Sequence, residues 1–338
     1  MFPLRVVSRI PTSGNDPGTD VPGEMMYQQL GPSGLTVSTI GIGCNNFGSR
    51  MPDHEVPSVV NSAIDAGITL FDTADVYGNA GGSETLLGKA LGSRRDEVII
   101  ATKFGSDMRG VNGPDWGARG SRRYLKIAVE SSLRRLGTDW IDLYQMHEPD
   151  PNTPIEETLA ALSEIVAEGK VRYIGSSNFA GWQVVDADWI SRSSGYEAFI
   201  SAQNEYSWLN RSVERELVPA LEHTGQSLLP YFPLASGLLT GKYHRGEPAP
   251  EGSRLARNRV RLDRANFDVI EAVEKYAAER GLSMLQVAVG GLAAMPTVGS
   301  VIAGATSAEQ VKQNVEAGLW VPSGDDLEVL LQITEPVP

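Results

Sequence analysis

Short apolar runs alternate along the chain with longer segments whose apolar positions recur at helical spacing. Residues 37–41, 69–71, 98–102, 141–146, 171–175, 199–203, 227–231 and 300–302 read as buried strands. Between them lie amphipathic helices. Val56, Val59, Val60 and Ala63 form one apolar face behind Asp53, a good N-cap, and a second helix runs through Leu86, Leu87 and Leu91. Leu125, Val129, Leu133 and Leu136 form another face behind a cap at Ser121. The stretch Thr153-Pro154-Ile155-Glu156 combines an N-cap, proline at the first helical position and a capping-box glutamate, and predicts a helix to about Glu168. Upstream, Y-Q-Q-L-G-P-S-G-L-T-V-S places glycine-bearing turn chemistry between two extended pieces, which predicts a hairpin. Strand followed by helix, repeated eight times, is the pattern of a (β/α)8 TIM barrel. The repeat is one of structural units, with no low-complexity segment or second-domain linker.

Three of the strand-like runs finish on polar residues that a core has no use for. T-L-F-D-T-A-D-V-Y-G carries Asp72 and Tyr77, V-I-I-A-T-K ends on Lys103, and W-I-D-L-Y-Q-M-H ends on His147. A lysine closing a buried strand requires a nearby anion, and Asp72 on the adjacent strand is the natural one. Beside that ammonium the Tyr77 phenol is expected to titrate below its usual ~10, in the range of a general acid. His147 then supplies a hydrogen bond that aims a carbonyl oxygen at Tyr77. Taken singly, Asp72 reads equally as a cap, Tyr77 as a packed loop aromatic, Lys103 as a solvated strand end and His147 as a satisfied histidine. Their arrival at matched ends of consecutive strands points instead to a site.

This set, in this order, resembles the aldo-keto reductase superfamily, whose Asp, Tyr, Lys and His tetrad occupies the carboxyl ends of three successive barrel strands. The resemblance covers roughly residues 27–322 and places the hairpin across the barrel floor. It implies NAD(P)H-dependent reduction of aldehyde or ketone carbonyls, with Tyr77 as general acid. Ser177 and Asn178 in I-G-S-S-N-F, with Gln203, match the contacts to the nicotinamide carboxamide, and Tyr231 matches the aromatic that stacks on its ring. Read alone, Ser177 and Asn178 are also an N-cap pair. Y-F-P-L-A-S-G-L-L-T-G-K-Y resembles the cofactor loop, with Leu234, Ser236, Gly237, Leu239 and Lys242 around the pyrophosphate. After the last strand, Ser307 and Gln310 form a capping-box pattern whose helix N-terminus is a ready phosphate site. By resemblance Gly304, Thr306 and Ser307 approach the ribose phosphate, while Gln310 and Asn314 contact the adenine. Thr306 stands where many relatives have arginine, so NADP(H) is expected to be favoured over NAD(H) only modestly, with Lys242 and an arginine from 254–261 assisting. A second reading is a cofactor-binding regulatory subunit, similar to the channel-associated relatives of this family. A hydrolase or lyase on the same barrel lacks an evident metal cluster or nucleophile motif.

Composition narrows the partners. With 29 basic and 42 acidic side chains, a net charge of −13 argues against nucleic acid and anionic membranes. Arginines at 245, 254, 257, 259, 261 and 264 stand out in this acidic chain as either a solvated face or a phosphate-neutralising lid. The lone cysteine, Cys44, reads as a buried inert thiol, and a cytoplasmic location follows as the default. No apolar run reaches the ~18 residues of a membrane span, and the histidines show no metal-ligand spacing. Residues 1–25 are expected to be a flexible extension, with the barrel at 26–338. Substrate specificity is assigned to loops 104–120 and 204–211 and the C-terminus, with Trp116, Tyr206 and Trp208 as candidate wall residues. The substrate and the oligomeric state have no readable code.

Overall fold

The computed structural model describes residues 24–257 and 259–335. Expectations for residues 1–23 and 336–338 therefore fall outside the described residues. The predicted hairpin is present: β1 (Tyr27–Gln29) pairs antiparallel with β2 (Thr36–Ser38). Eight further strands are parallel: β3 (Ile40–Gly43), β4 (Leu70–Asp72), β5 (Ile99–Phe104), β6 (Ile141–Met146), β7 (Val171–Ser177), β8 (Ser201–Glu205), β9 (Ser227–Tyr231) and β10 (Val301–Gly304). They close into a barrel in the order β10-β3-β4-β5-β6-β7-β8-β9, with Ile302 beside Tyr231 completing the ring. The fold is thus a (β/α)8 barrel, as the alternating pattern predicts.

The helices surround it: α1 (Val56–Asp65), α2 (Tyr77–Leu91), α3 (Arg122–Leu136), α4 (Ile155–Ala167), α5 (Gly181–Ser194), α6 (Leu217–Thr224), α7 (Arg259–Asp263), α8 (Phe267–Glu279), α9 (Met284–Ala293), α10 (Ala308–Gly318) and α11 (Gly324–Ile333). Their apolar faces bury against the outer side of the strands in one continuous core. A smaller core fills the barrel itself, where Leu70, Ala101, Leu143, Leu229 and Ile302 meet Leu30 and Val37 of the hairpin. Gln28 fixes that plug by donating from Nε2 to the carbonyls of Val298 (2.8 Å) and Gly299 (2.6 Å). With its amino end stoppered, the barrel is left open only at the carboxyl ends of its strands, where this fold carries chemistry.

Several local expectations are corrected. Val37 belongs to the hairpin, and the first barrel strand begins three residues later at Ile40, because V-S-T-I-G-I-G runs two elements together with no turn signal. Asp53 opens a single 3-10 turn rather than capping α1, which starts at Val56 with proline in its first turn. Likewise α4 starts after Pro154, and Thr153 Oγ1 donates instead to Asp150 (2.7 Å). Ser121 does cap α3, accepting from the Tyr124 amide. Strands β5, β7, β8 and β10 extend past their predicted ends to Phe104, Ser177, Glu205 and Gly304. The parallel ladder continues regardless of side-chain polarity, so polar site residues lie on rigid strands.

Candidate active site

Asp72 closes β4 and Lys103 lies near the end of β5, so adjacent parallel strands bring the two side chains together. Lys103 Nζ donates to both Asp72 carboxylate oxygens at 2.8 Å and to the Thr73 carbonyl at 2.8 Å, and it has no exposure to solvent. Burial alone would push the ammonium down, yet Asp72 overcompensates and Lys103 titrates above its ordinary range. Two carboxamides absent from the predicted tetrad complete the cradle. Gln203 Nε2 donates to Asp72 Oδ1 at 2.7 Å, and Gln145 Nε2 reaches the same oxygen at 3.3 Å. A buried carboxylate with this many donors is oriented as well as paired.

Tyr77 opens α2 immediately beyond this pair, and Lys103 Nζ lies 5.1 Å from its ring centroid. The His147 ring packs edge-on against it, with centroids 5.7 Å apart at 82°. The expected depression of the Tyr77 pKa is not found. Burial raises it, Lys103 pulls it back, and Asp72 raises it again, leaving the phenol above its ordinary value. The main reason is burial of the phenol, and the Asp72 charge offsets part of the downward pull of Lys103. Burial, and secondarily Lys103, hold the His147 imidazole down at about 3, so it is neutral across the physiological range. Its Nδ1 shares a 3.1 Å hydrogen bond with Ser106 Oγ, which leaves Nε2 to meet a ligand. Ser106 was invisible in the sequence because it sits in a glycine-rich loop with no periodicity.

Tyr77, His147 and Asp72 line one end of a cleft of ≈ 1200 Å³ that runs across the carboxyl mouth of the barrel. Ser177, Asn178, Gln203 and Tyr231 line it beside them, as do Leu234, Ser236, Gly237, Lys242, Gly304, Thr306, Gln310 and Asn314. Asn178 takes a left-handed backbone (φ 60°), donates from Nδ2 to the His147 carbonyl at 2.9 Å and accepts from the Tyr231 hydroxyl at 2.9 Å. Ser177 Oγ donates to the Gln203 carbonyl at 2.9 Å. These side chains are therefore locked to one another along successive strand ends. Cys44 is buried, and burial raises its thiol well above the ordinary range, as an inert thiol requires.

Other predicted positions fall elsewhere. Leu239 is fully buried in the core, and Ser307 does not line the cleft; its Oγ caps α10. The capping box is only half formed, because Gln310 Oε1 accepts from the Thr306 amide at 2.9 Å and from Thr306 Oγ1 at 3.2 Å. Tyr206 and Trp208 are each 1% exposed: the hydroxyl donates to Glu214 and the indole to the Val287 carbonyl, so neither forms a substrate wall. Trp116 is 73% exposed, lies under the Arg123 guanidinium and is outside the cleft lining. Arg245 pairs with Asp268 and Glu271 away from the cleft. Arg254 and Arg261, from the arginine-rich segment, line the cleft, and so do Asn45, Asn46, Arg50, Phe232 and Gln313, which the sequence does not mark as contacts.

The sequence pattern of the Aldo/keto reductase family matches residues 39–330. The chain belongs to the aldo/keto reductase family. L-glyceraldehyde 3-phosphate reductase of Escherichia coli (strain K12) is 37% identical over 310 residues, 87% of this chain and 88% of that one. A probable voltage-gated potassium channel subunit beta of Arabidopsis thaliana is 35% identical, covering 88% and 92%. Versiconal hemiacetal acetate reductase of Aspergillus parasiticus is 36% identical, covering 78% and 84%. Aldo/keto reductases are oxidoreductases of carbonyl compounds that generally use nicotinamide cofactors, usually NADP(H).

The cleft fits such a cofactor by its own chemistry. Ser236 and Gly237 hold positive φ (63° and 96°), and a Cβ at Gly237 would sit 3.2 Å from Lys242 Cε, so the loop leaves a cradle under a cation. Ser253 Oγ is buried without a partner at the same cleft. Among the described residues no group of histidine, cysteine and carboxylate side chains is placed to hold a metal, and no helix is long and apolar enough to cross a membrane.

Proposed function

We propose that this aldo/keto reductase reduces aldehyde or ketone carbonyls to alcohols with NADP(H) favoured over NAD(H), Tyr77 acting as the general acid. The observation that carries this reading is the fully buried Lys103–Asp72 pair beneath Tyr77 and neutral His147, at the open mouth of the barrel. The cofactor, when bound, supplies a hydride to the carbonyl carbon. Tyr77 gives its proton to the carbonyl oxygen, and Lys103 stabilises the phenolate left behind, since the lysine lowers the Tyr77 pKa against the effect of burial. His147, uncharged, offers Nε2 to the same oxygen and aims it without competing as an acid. Ser177, Asn178 and Gln203 would hold the carboxamide, Tyr231 would stack on the nicotinamide, and Lys242 with Gly237 would meet the pyrophosphate. A small-molecule carbonyl is the only partner this chemistry needs, and a cytoplasmic setting accords with the single buried thiol.

The similarity to a protein described as a potassium channel subunit beta favours one second reading, a cofactor-binding regulatory subunit. A screen of aldehydes, ketones and quinones with NADPH and NADH separates them. Steady turnover without any partner is expected; tight cofactor binding with negligible turnover across the panel would favour the regulatory reading.

A further inference from the structure

The first turn of α2, directly after Tyr77, is left-handed. Gly78, Asn79, Ala80 and Gly81 hold φ of 64°, 60°, 64° and 112°, and for Asn79 and Ala80 this is backbone that L side chains avoid. Such a turn persists only where its surroundings over-determine it. Tyr77 therefore sits in a loop, residues 74–81, between the end of β4 and the regular helix that begins at Gly82. The loop holds itself weakly. The Tyr77 and Ala80 amides donate to the Ala74 and Val76 carbonyls at 3.2 Å each, at the long end of the normal range, and the Asp75 carboxyl is buried without a partner.

The base of the loop is closed by side chains. Ser83 Oγ donates to the Cys44 carbonyl at 2.8 Å and lies 2.8 Å from Thr73 Oγ1. A hydroxyl has one proton, so with that of Ser83 spent on Cys44, Thr73 must donate to Ser83. The bonds run in one direction, Thr73 to Ser83 to Cys44, and polarise one another in a fully buried setting. The same backbone holds the ion pair: Lys103 Nζ donates to the Thr73 carbonyl, and the Cys44 amide donates to the Asp72 carbonyl at 2.8 Å. Next to Ser83, the buried Glu84 accepts from Thr102 and Arg135, which fastens the start of the regular helix to β5 and α3.

We propose that Ser83 is a positioning residue for Tyr77: through its bonds to Thr73 and Cys44 it clasps the base of the left-handed loop and fixes the phenol beside the Lys103–Asp72 pair. Neither Ser83 nor Thr73 lines the cleft, so the effect passes through the backbone. The inference rests on the reading of Tyr77 as the general acid.

Thr73→Val nearly keeps the side-chain shape and removes the hydroxyl, whereas Thr73→Ser keeps the hydroxyl. Thr73→Val should lower kcat about tenfold or more while cofactor affinity, by fluorescence titration, stays within about twofold, and Thr73→Ser should stay within about threefold of wild-type kcat. Ser83→Ala should lower kcat at least as much, and adding Thr73→Val to it should cost little more, since both break one chain of bonds. Hydrogen–deuterium exchange read by mass spectrometry is independent of turnover: amides of residues 74–82 should exchange faster in Thr73→Val and Ser83→Ala but not in Thr73→Ser, with those of α4 unchanged. If the wild type turns over no carbonyl, the general-acid reading fails separately and exchange alone judges the clasp. Exchange over 74–82 equal to wild type in Thr73→Val, or a kcat within about twofold of an active wild type, would overturn the proposal. Faster exchange across the whole barrel would overturn it too, as the mark of a merely structural role.

Discussion

Lys103 carries its charge with no contact to solvent, so replacing it separates its effect on Tyr77 from its effect on the fold. Lys103→Met leaves Asp72 buried without a counter-charge and removes the one group that lowers the Tyr77 pKa. It should cost about 3–5 kcal/mol of stability, read by urea denaturation, and should reduce turnover by roughly 100-fold or more. An active Lys103→Met enzyme with an unchanged pH–rate profile would contradict this role. Asp72, Lys103 and His147 were legible as site candidates because each ends an apolar run, where a polar residue needs a reason, and Tyr77 follows Asp72 in the same motif. Gln145 was not, since it lies inside the predicted strand 141–146 and only barrel closure turns it toward Asp72. Tyr206 and Trp208 were misread because an aromatic in a loop looks the same whether it faces a ligand or packs against α9.

At the scale of elements, the turn from β4 into α2 depends on a carboxyl that the proposed chemistry does not use. Asp75 is fully buried, both its oxygens lack partners, and burial, reinforced by Glu84, raises its pKa well above the carboxylate range. Its neighbour Glu84 holds the available cations and donors, accepting from Arg135 and Thr102 at 2.6 Å each. Asp75 therefore holds its proton to higher pH in the folded protein than in the unfolded chain. A raised folded pKa means that this group stabilises most at low pH and loses that contribution as pH rises through the window between the two values. Asp75→Asn, which keeps the shape and removes the titration, should lie within about 1 kcal/mol of wild type near pH 5. It should gain on wild type as pH increases, which thermal melts at pH 5 and 8 will show; a variant that loses ground at pH 8 would mean the carboxylate is ionised and paired. The same scale shows what the chain's pattern resolves. Strands β6 and β9 match their predicted ends because turn or proline signals bracket them, whereas β2 and β3 merge in one apolar stretch that only the hairpin register divides.

Across the whole molecule, the hairpin closes one end of the barrel and the cleft opens the other, so a ligand approaches from a single side. The net charge of −13 makes most of the surface repel an anion, while Lys242, Arg50 and Arg254 gather positive charge at the cleft. Such a local field weakens with screening, and the Debye length shrinks from about 10 Å at 0.1 M salt to about 3 Å at 1 M. The preference for NADPH should accordingly be modest, on the order of 1–3 kcal/mol at low salt, and should shrink as salt is added. Equal affinity for the two cofactors at low salt would show that the phosphate does not reach these cations. The alternation of strands and helices made this architecture readable, but the shared cleft lining of Arg50 and Arg254 was not, because they are about 200 positions apart and reach one cleft only when β3 and the loop after β9 share one mouth.

The most direct test of the proposed chemistry is Tyr77→Phe, assayed for carbonyl turnover and, in parallel, for cofactor affinity by fluorescence. The substitution removes only the phenolic hydroxyl, so turnover should fall by roughly 100-fold or more while cofactor affinity stays nearly unchanged. A variant that retains most of the wild-type turnover would refute Tyr77 as the proton donor.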